Sequence, residues 1–481
     1  VDALDSLIVE INDVFWTWLL IPIVIGAGLY FTWRGRLMQL RLLPEMFRAI
    51  TERTKPAPDG SRPVSAFGAF TISAAARVGT GNIAGVATAI TLGGPGAVFW
   101  MWLMAIVGAA SAFVESTLAQ LYKVRDREPG TYRGGPAYYM ERGLRRRWMG
   151  AVFAVVITLT FGFVFNAVQS NTIAATGRRS LEVEDSSFEL LLGLVLVVLL
   201  GLVIYGGVRR IARVTEVLVP VMAIAYIVLG IAVVVLNIGD VPRVLADIVG
   251  GAFGFREVAG GAVGAAIQNG VRRGMFSNEA GLGSAPNAGA SAQVSHPVKQ
   301  GLVQSLGVFF DTLLICSITA FIILTTHPDL SERRGADLTQ SALVDTLGSW
   351  SGHALTVIVA LLAFSSLIGN YYYGESNIEF LTTRRSVLQS YRILVLLAVF
   401  GGALGSVSLV WNLADVFMGV MAAVNLAAII PLGAIAFRLL EDYQRQRRAG
   451  QDPVYVHSPA IADPSGIECW QQEPTSPAGR S

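Results

Sequence analysis

The chain has 481 residues, 53% hydrophobic and only 15% charged, where soluble domains carry roughly a quarter charged residues. Its formal net charge is +2, and its two cysteines and four histidines show no metal-ligand spacing. With a positive mean hydropathy, this excludes a water-soluble globular domain, a disulfide framework and a zinc module.

In chain order, apolar blocks fall near 14–33, 66–92, 97–122, 149–177, 188–207, 214–237, 258–294 (interrupted), 300–326, 354–382, 389–407 and 412–440. A helix needs about 20 residues to cross a hydrocarbon core. Blocks of helix length, rather than alternating segments of about ten residues, exclude a β-barrel. The expectation is an all-α polytopic membrane protein with about eleven transmembrane helices.

Charge then sets orientation. Loops 34–62 and 123–147 hold seven and eight basic residues, whereas loops 178–187, 238–257 and 327–352 hold two each. Loops 208–213, 296–299, 383–387 and the tail from 438 fall on the same side as the first two. By the positive-inside rule the amino terminus is outside and the carboxyl terminus cytoplasmic. Cys316 reads as a small core residue and Cys469 lies in the tail, while the histidines fall in loops, near helix ends or in the tail. The first apolar block lacks a basic leader and a cleavage site, so no signal peptide is expected. The segment 441–481, rich in Pro, Gln, Ser and Asp, reads as a disordered cytoplasmic tail. The 338–347 run within loop 327–352 reads as a short helix over the outer entrance.

Two blocks are poor helices in the middle. In "SAAARVGTGNIAGVATAI" (Ser73 to Ile90) the run Val78-Gly79-Thr80-Gly81-Asn82 combines two glycines with Thr and Asn, which bond backbone outside helices. "VRRGMFSNEAGLGSAP" (Val271 to Pro286) repeats the feature over Gly274–Gly283. Broken backbone at membrane depth is tolerated where it lines a cavity or is buried in protein. Each break lies in the first helix of a run of five, spanning 66–237 and 258–440, after an extra helix within 1–65. Five is odd, so the second run enters from the opposite face. Two inverted halves, each opening with a discontinuous helix, point to a secondary transporter with a midplane site. Close helix packing through glycine explains one such break readily, and a matched pair poorly.

The stretches "GTGNIAGVATAITLGG", "GGPGAVFWMWLMAIVG" (Gly93 to Gly108), "GTYRGGPAYYM" (Gly130 to Met140) and "RRGMFSNEAGLGSAP" resemble the sodium:alanine (or glycine) symporter family, over about residues 14–440. The resemblance implies a LeuT-type core of two inverted five-helix repeats in a bacterial or archaeal plasma membrane. It also implies sodium-coupled uptake of small neutral amino acids, alanine and glycine foremost, with Na+ as the co-transported ion and no nucleic acid.

Within that frame, the amides of Thr80, Gly81 and Asn82 at a half-helix start suit a carboxylate, although Asn82 also suits a cap. Carbonyls of Phe276, Ser277 and Asn278 suit an ammonium group, and Phe276 covers the ligand. Glu279 reads as structural, in the first turn of the following half-helix. The resemblance adds Gln169 and Asn370 as substrate contacts; an interhelical hydrogen bond remains open for Gln169, and some family members carry a large aromatic in place of Asn370. It also implies a sodium site from the carbonyls of Ala75, Val78 and Leu362 and the hydroxyls of Ser365 and Ser366. Glu115, Asp311, Glu375 and Glu379 are intramembrane carboxyls without an assigned task, and pairing with Arg77, Arg272 or Arg273 is the expectation for them. A proton-coupled transporter with a carboxylate relay such as Glu115 stays open, as does a channel or amino-acid sensor. Catalytic Ser-Lys, Ser-His or His-Glu arrangements are missing at matching depth, so no enzyme is expected.

Overall fold

The computed structural model describes residues 12, 14–52, 54, 63–128, 130–183, 185, 187–254, 260–326, 335–405, 407–455, 461 and 464–470. The start of the 327–352 loop, His457 and the last eleven residues lie outside the described residues.

Among the described residues, nine helices are long and apolar enough to cross a membrane. They are α1 (Phe15–Arg34), α5 (Gly96–Leu121), α7 (Arg147–Ser180), α8 (Ser187–Ile204), α9 (Gly207–Leu236), α13 (Pro297–Thr325), α15 (Trp350–Leu381), α16 (Arg385–Leu404) and α17 (Val407–Arg448). Two further crossings are broken in the middle. One is α3 (Ala66–Arg77) followed by α4 (Gly81–Gly93), the other α11 (Gly260–Asn278) followed by α12 (Ala285–Ser291). Nine and two make the eleven crossings expected. Short helices α2 (Leu43–Ile50), α6 (Pro136–Arg142), α10 (Val241–Phe253) and α14 (Ala336–Leu347) lie between them. A two-residue hairpin pairs β1 (Val124–Arg125) with β2 (Tyr132–Arg133), Val124 opposite Arg133.

Burial sorts the bundle into centre and rim. Helices α5, α13 and α15 are mostly buried, whereas α8 exposes Leu190, Leu191, Leu194, Val198 and Leu202, and α9 exposes Val217, Ile224, Val228 and Val235. In a lipid solvent those apolar faces need no protein cover.

Among the described residues, the loops meet in two groups. At one end Arg447 pairs with Glu45 at 3.0 Å, Lys299 with Glu52 at 2.8 Å, Arg209 with Glu128 at 3.8 Å, and Arg127 donates to the Thr383 carbonyl at 2.6 Å. At the other end Arg179 pairs with Asp337, Ser180 shares a hydrogen bond with His353 at 2.7 Å, and Arg243 donates to the Leu324 carbonyl.

Three local expectations change. The 208–213 segment is the first turns of α9 rather than a loop. The 238–257 segment holds the amphipathic α10, whose Val244, Ile248 and Ala252 are buried, and Trp100 of α5 donates to the Ala252 carbonyl at 3.3 Å. The tail is not disordered throughout. Residues 441–448 complete α17, and the described residues after them form a strap across the basic end. Tyr455 N–H donates to Ser295 O at 2.8 Å and Trp470 Nε1 to Gln120 O at 2.8 Å. The buried Tyr455, Ile461 and Ile467 give the strap the apolar anchors that a purely polar tail lacks.

Candidate functional site

The first break starts where α3, capped at its origin by Ser65 Oγ accepting Gly68 N–H at 2.8 Å, ends at Arg77. Val78 has φ −81° and ψ 83°, and Gly79 N–H donates to Arg77 O at 3.0 Å, which is an inverse γ-turn. Asn82 Oδ1 accepts the same Gly79 N–H at 2.9 Å, so Asn82 holds the turn. Of the amides expected to meet a carboxylate, Thr80 N–H is directed to Gln169 Oε1 at 3.3 Å and Asn82 N–H to Gly79 O at 3.2 Å. Gln169 therefore holds the break itself. Gly79 and Gly81 are required by close approach: a Cβ on Gly79 collides with Ser366 Oγ, and one on Gly81 comes within 2.8 Å of the Phe276 ring.

At the second break, Glu279 (φ +55°), Gly281 (+83°) and Gly283 (+79°) adopt the left-handed conformation, which glycine enters without strain. Glu279 thus lies in the break, ahead of α12 rather than in its first turn. Its N–H closes α11 on Met275 O at 2.9 Å, and its carboxylate accepts Ser284 Oγ–H at 2.6 Å. Glu115 of α5 accepts Gly281 N–H at 3.3 Å, Gly283 N–H at 3.1 Å and Asn425 Nδ2–H at 2.8 Å. Asn425 also donates to Gly281 O at 2.9 Å and accepts Tyr139 O–H. Asn278 Oδ1 accepts Ala280 N–H at 3.0 Å, which spends half of its amide on the backbone.

A network joins the two breaks. Asn82 Nδ2 donates to Asp311 Oδ1 at 2.5 Å and to Ser277 Oγ at 3.1 Å, while Ser277 and Thr312 hydroxyls donate to Asp311 Oδ2 at 2.6 and 2.9 Å. Cys316, expected as core filler, is buried but lies 3.0 Å from Ser277 Oγ. Thr319 donates to Asn82 O at 2.7 Å. Three stretches of π-type winding line this region: Gly81–Gly85 in α4, Thr158–Phe165 in α7 and Phe309–Cys316 in α13. Such winding recurs at functional sites, because one extra residue per turn releases backbone groups and re-aims side chains.

Four of the five expected ion ligands lie together. Ser366 Oγ is 2.8 Å from Ala75 O and 3.1 Å from Leu362 O, and Ser365 Oγ is 3.3 Å and 2.8 Å from the same two carbonyls. Although adjacent helical residues point about 100° apart, both hydroxyls reach one spot because α15 presents an edge to α3. Val78 is buried in the γ-turn beside it.

Phe276 packs on Gly81 and on Phe165, with ring centroids 5.0 Å apart. Phe165 continues to Phe161 at 4.6 Å and Phe161 to Tyr373 at 5.2 Å, forming an aromatic wall. Asn370 and Thr80 are 1% exposed, and neither the Asn370 amide nor the Thr80 hydroxyl has a hydrogen-bond partner.

The expected carboxylate–arginine pairs do not form. Arg272 and Arg273 pair with Asp415, the latter at 2.6 Å, Glu375 pairs with Arg392 at 2.7 Å, and Glu379 with Arg133 at 3.3 Å. Arg77 donates to Gln304 O at 3.2 Å instead. Sequence spacing hides these partners, since Glu115 and Asn425 stand 310 positions apart.

The chain matches the sodium:alanine symporter family over residues 1–457. It is 52% identical to a probable sodium/glutamine symporter, GlnT, of Bacillus subtilis, over 97% of this chain and 96% of that one. It is 37% identical to the sodium/alanine symporter AgcS of Methanococcus maripaludis, over 89% and 95% respectively. Among solved structures, the transporter MhsT in complex with L-phenylalanine superposes with a TM-score of 0.53 at 16% identity, over 80% of this chain and 91% of that one. Broken helices in matching places, the fold they share with LeuT-type transporters and the family match agree: the chain belongs to the sodium:alanine symporter family, and is a multi-pass membrane protein for cation-coupled amino-acid symport rather than an enzyme.

Proposed function

We propose that the protein takes up small neutral amino acids, alanine and glycine foremost, in symport with Na+. The observation that carries this reading is the convergence of Ala75 O, Leu362 O, Ser365 Oγ and Ser366 Oγ, each hydroxyl lying within 3.3 Å of both carbonyls. Four neutral oxygens suit a hard monovalent cation, and no carboxylate is needed. The ion ties the first broken helix to α15, hence the 66–237 repeat to the 258–440 repeat, and so favours one arrangement of the two. Coupling follows from that differential affinity. The amino acid sits between the breaks, its carboxylate at Thr80–Asn82, where it takes the Thr80 N–H over from Gln169 Oε1, and its ammonium at the Phe276–Asn278 carbonyls, under Phe276 and beside Gln169 and Asn370. The basic loops lie in the cytoplasm and α14 lies over the outer entrance. The buried Leu338, Ala342 and Leu343 of α14, packed near Ile83 and Val86 of α4, support that position.

Counterflow of labelled alanine in proteoliposomes tests the reading: exchange requires Na+ and fails in potassium or choline. A second reading, proton coupling, draws support from Asp311, whose carboxylate bridges Asn82 and Ser277. A relative 40% identical, from Bacillus subtilis, is named a putative sodium/proton-dependent alanine carrier protein. Uptake driven equally well by a proton gradient without Na+ selects that reading over the first. Orientation is read separately: Ser349→Cys, exposed at the start of α15, in a background lacking Cys316 and Cys469, labels from outside intact cells. Labelling only after permeabilisation reverses the assignment.

A further inference from the structure

At the basic end, a cavity of about 430 Å³ opens between the last turn of α1 and the last turns of α17, well away from the two breaks. Five arginines line it against one carboxylate. Arg34, Arg36 and Arg41 come from the first segment, and Arg445, Arg448 and Glu441 from the second. Arg445 pairs with Asp442, but Arg34, Arg36, Arg41 and Arg448 pair with no carboxylate among the described residues. Positive charge at this end is ordinary for a membrane protein. Its collection into one hollow, from opposite ends of the chain, is not explained by that rule.

The backbone presents this charge against its own preference. Leu37 N–H donates to Thr32 O at 2.9 Å and Arg36 N–H to Trp33 O at 3.0 Å, so α1 ends in a Schellman motif. Arg36 occupies the position where glycine is the default, with φ +53°, and Leu37 follows at +56°. A side chain in the left-handed region crowds its neighbouring carbonyl, and such strain clusters where a ligand is clamped. The turn is also pinned from behind. Met38 and Gln39 are buried, and Gln39 Nε2 donates to Thr32 Oγ1 at 2.9 Å and to Ile106 O of α5 at 3.2 Å. On the other wall, Phe437 of α17 packs on Phe31 of α1 with ring centroids 6.2 Å apart. Outside the cavity the surface turns apolar: Trp33 is 75% exposed and Phe47 57%, with Leu37 and Leu40 exposed beside them.

We infer that this cavity binds the phosphate headgroup of an anionic phospholipid, which holds α1 against the end of α17. One guanidinium offers two parallel N–H donors to a phosphate, and several around one hollow neutralise and orient it. Basic pockets between membrane crossings recognise headgroups in this way. The exposed Trp33 marks headgroup depth, since tryptophan favours the membrane interface. The apolar collar gives acyl chains a surface for which a free phosphate has no use. A zwitterionic headgroup brings its own cation into a hollow already rich in them, and Glu441 is the one charge there that favours it.

The inference rests on the membrane placement and not on the choice of cargo, so its test needs no transport. The purified full-length protein in neutral detergent is titrated with phosphatidylglycerol, phosphatidylcholine or glycerol phosphate, and the bound species are counted by native mass spectrometry. One phosphatidylglycerol is expected to bind at least tenfold more tightly than phosphatidylcholine, and glycerol phosphate far more weakly. Arg36→Gly removes the guanidinium and relieves the backbone. It is expected to lower phosphatidylglycerol affinity at least fivefold, while the melting temperature without lipid stays or rises. Arg448→Gln, on the opposite wall, lowers the affinity likewise. Arg385→Gln, which removes a charge at the same end outside the cavity, leaves it unchanged. Equal affinity for the two lipids overturns the inference, as does unchanged affinity in the Arg36 and Arg448 variants. An equal loss in all three variants overturns it too, and assigns the lipid to the charge of the whole end. Glycerol phosphate bound as tightly as the lipid overturns the lipid and leaves a soluble phosphate ester as the occupant.

Discussion

Ser366 stands one turn after Leu362 and faces Ala75, the last residues of α3 before its γ-turn. Two hydroxyls on one carbonyl pair are redundant as hydrogen-bond donors, yet as ion ligands each oxygen counts separately. Ser366→Ala is therefore expected to raise the Na+ concentration for half-maximal alanine uptake roughly 5- to 30-fold, the equivalent of ~1–2 kcal/mol for one lost polar contact. Alanine affinity at saturating Na+ should move far less. A parallel fall in both, measured by titrating each at saturation of the other, returns Ser366 to a packing role. Ser365, whose hydroxyl also touches Met222 Sδ at 3.3 Å, is expected to show the smaller effect.

At the scale of elements, the second break is held by a carboxylate rather than by helix ends alone. Glu115 receives two glycine N–H groups and the Asn425 amide, so its two oxygens fasten α12, α5 and α17 together. Glu115→Gln puts an NH2 where one of those donors points. The expected cost is ~1–3 kcal/mol, a fall in the detergent melting temperature of about 2–4 °C per kcal/mol. If Glu115→Gln melts like the unmodified protein and instead changes the pH dependence of uptake, Glu115 is the proton relay that the sequence left open. The breaks themselves are legible in the chain, because Gly-Thr-Gly-Asn and Gly-Leu-Gly-Ser inside apolar blocks oppose helix locally. The Ser365–Ser366 pair is legible only through family resemblance, since two serines in a membrane helix usually bond their own backbone. Asp311 and Glu115 stand out in the sequence as intramembrane carboxyls, but their partners, and Cys316 as a site residue, are illegible, because those partners come from helices far along the chain and from π-turns without a sequence signal.

Across the whole molecule, among the described residues, the basic end carries the larger set of cross-chain ties. His296 caps α13 there: its Nδ1 accepts Val298 N–H at 3.2 Å, and its Nε2 lies 3.4 Å from Asp442 of α17. Acceptance at Nδ1 requires the neutral ring, and burial lowers its pKa from the ordinary 6.5 to about 4. The unfolded chain therefore takes up a proton between about pH 6.5 and pH 4 that the folded chain refuses. Stability falls as pH falls through that window, by roughly 3 kcal/mol in all, and loses nothing further from this group below it. His296→Asn keeps a capping oxygen and removes the titration, so its melting temperature should depend less on pH across 4 to 6.5. Identical slopes for the two proteins would remove His296 from the account. The strap beside it shows where composition misleads. Pro, Gln and Ser dominate the tail, but a few spaced apolar residues suffice to dock it when their receptor is already folded.

That strap has a consequence for biosynthesis. Lys123, after α5, donates to Ala292 O at 2.8 Å, and the Tyr132 and Trp470 rings cover it at 4.1 and 4.9 Å. Trp470 follows α17 in the chain and is made after every described membrane crossing. Until it arrives, the Lys123 ammonium is covered on one side only and the Gln120 carbonyl waits for its donor. Closing the basic end is therefore a late maturation step, separable in time from insertion. A chain halted at Arg448 is expected to reach the bilayer with its crossings complete and to be singled out afterwards, by quality-control proteolysis at that open end.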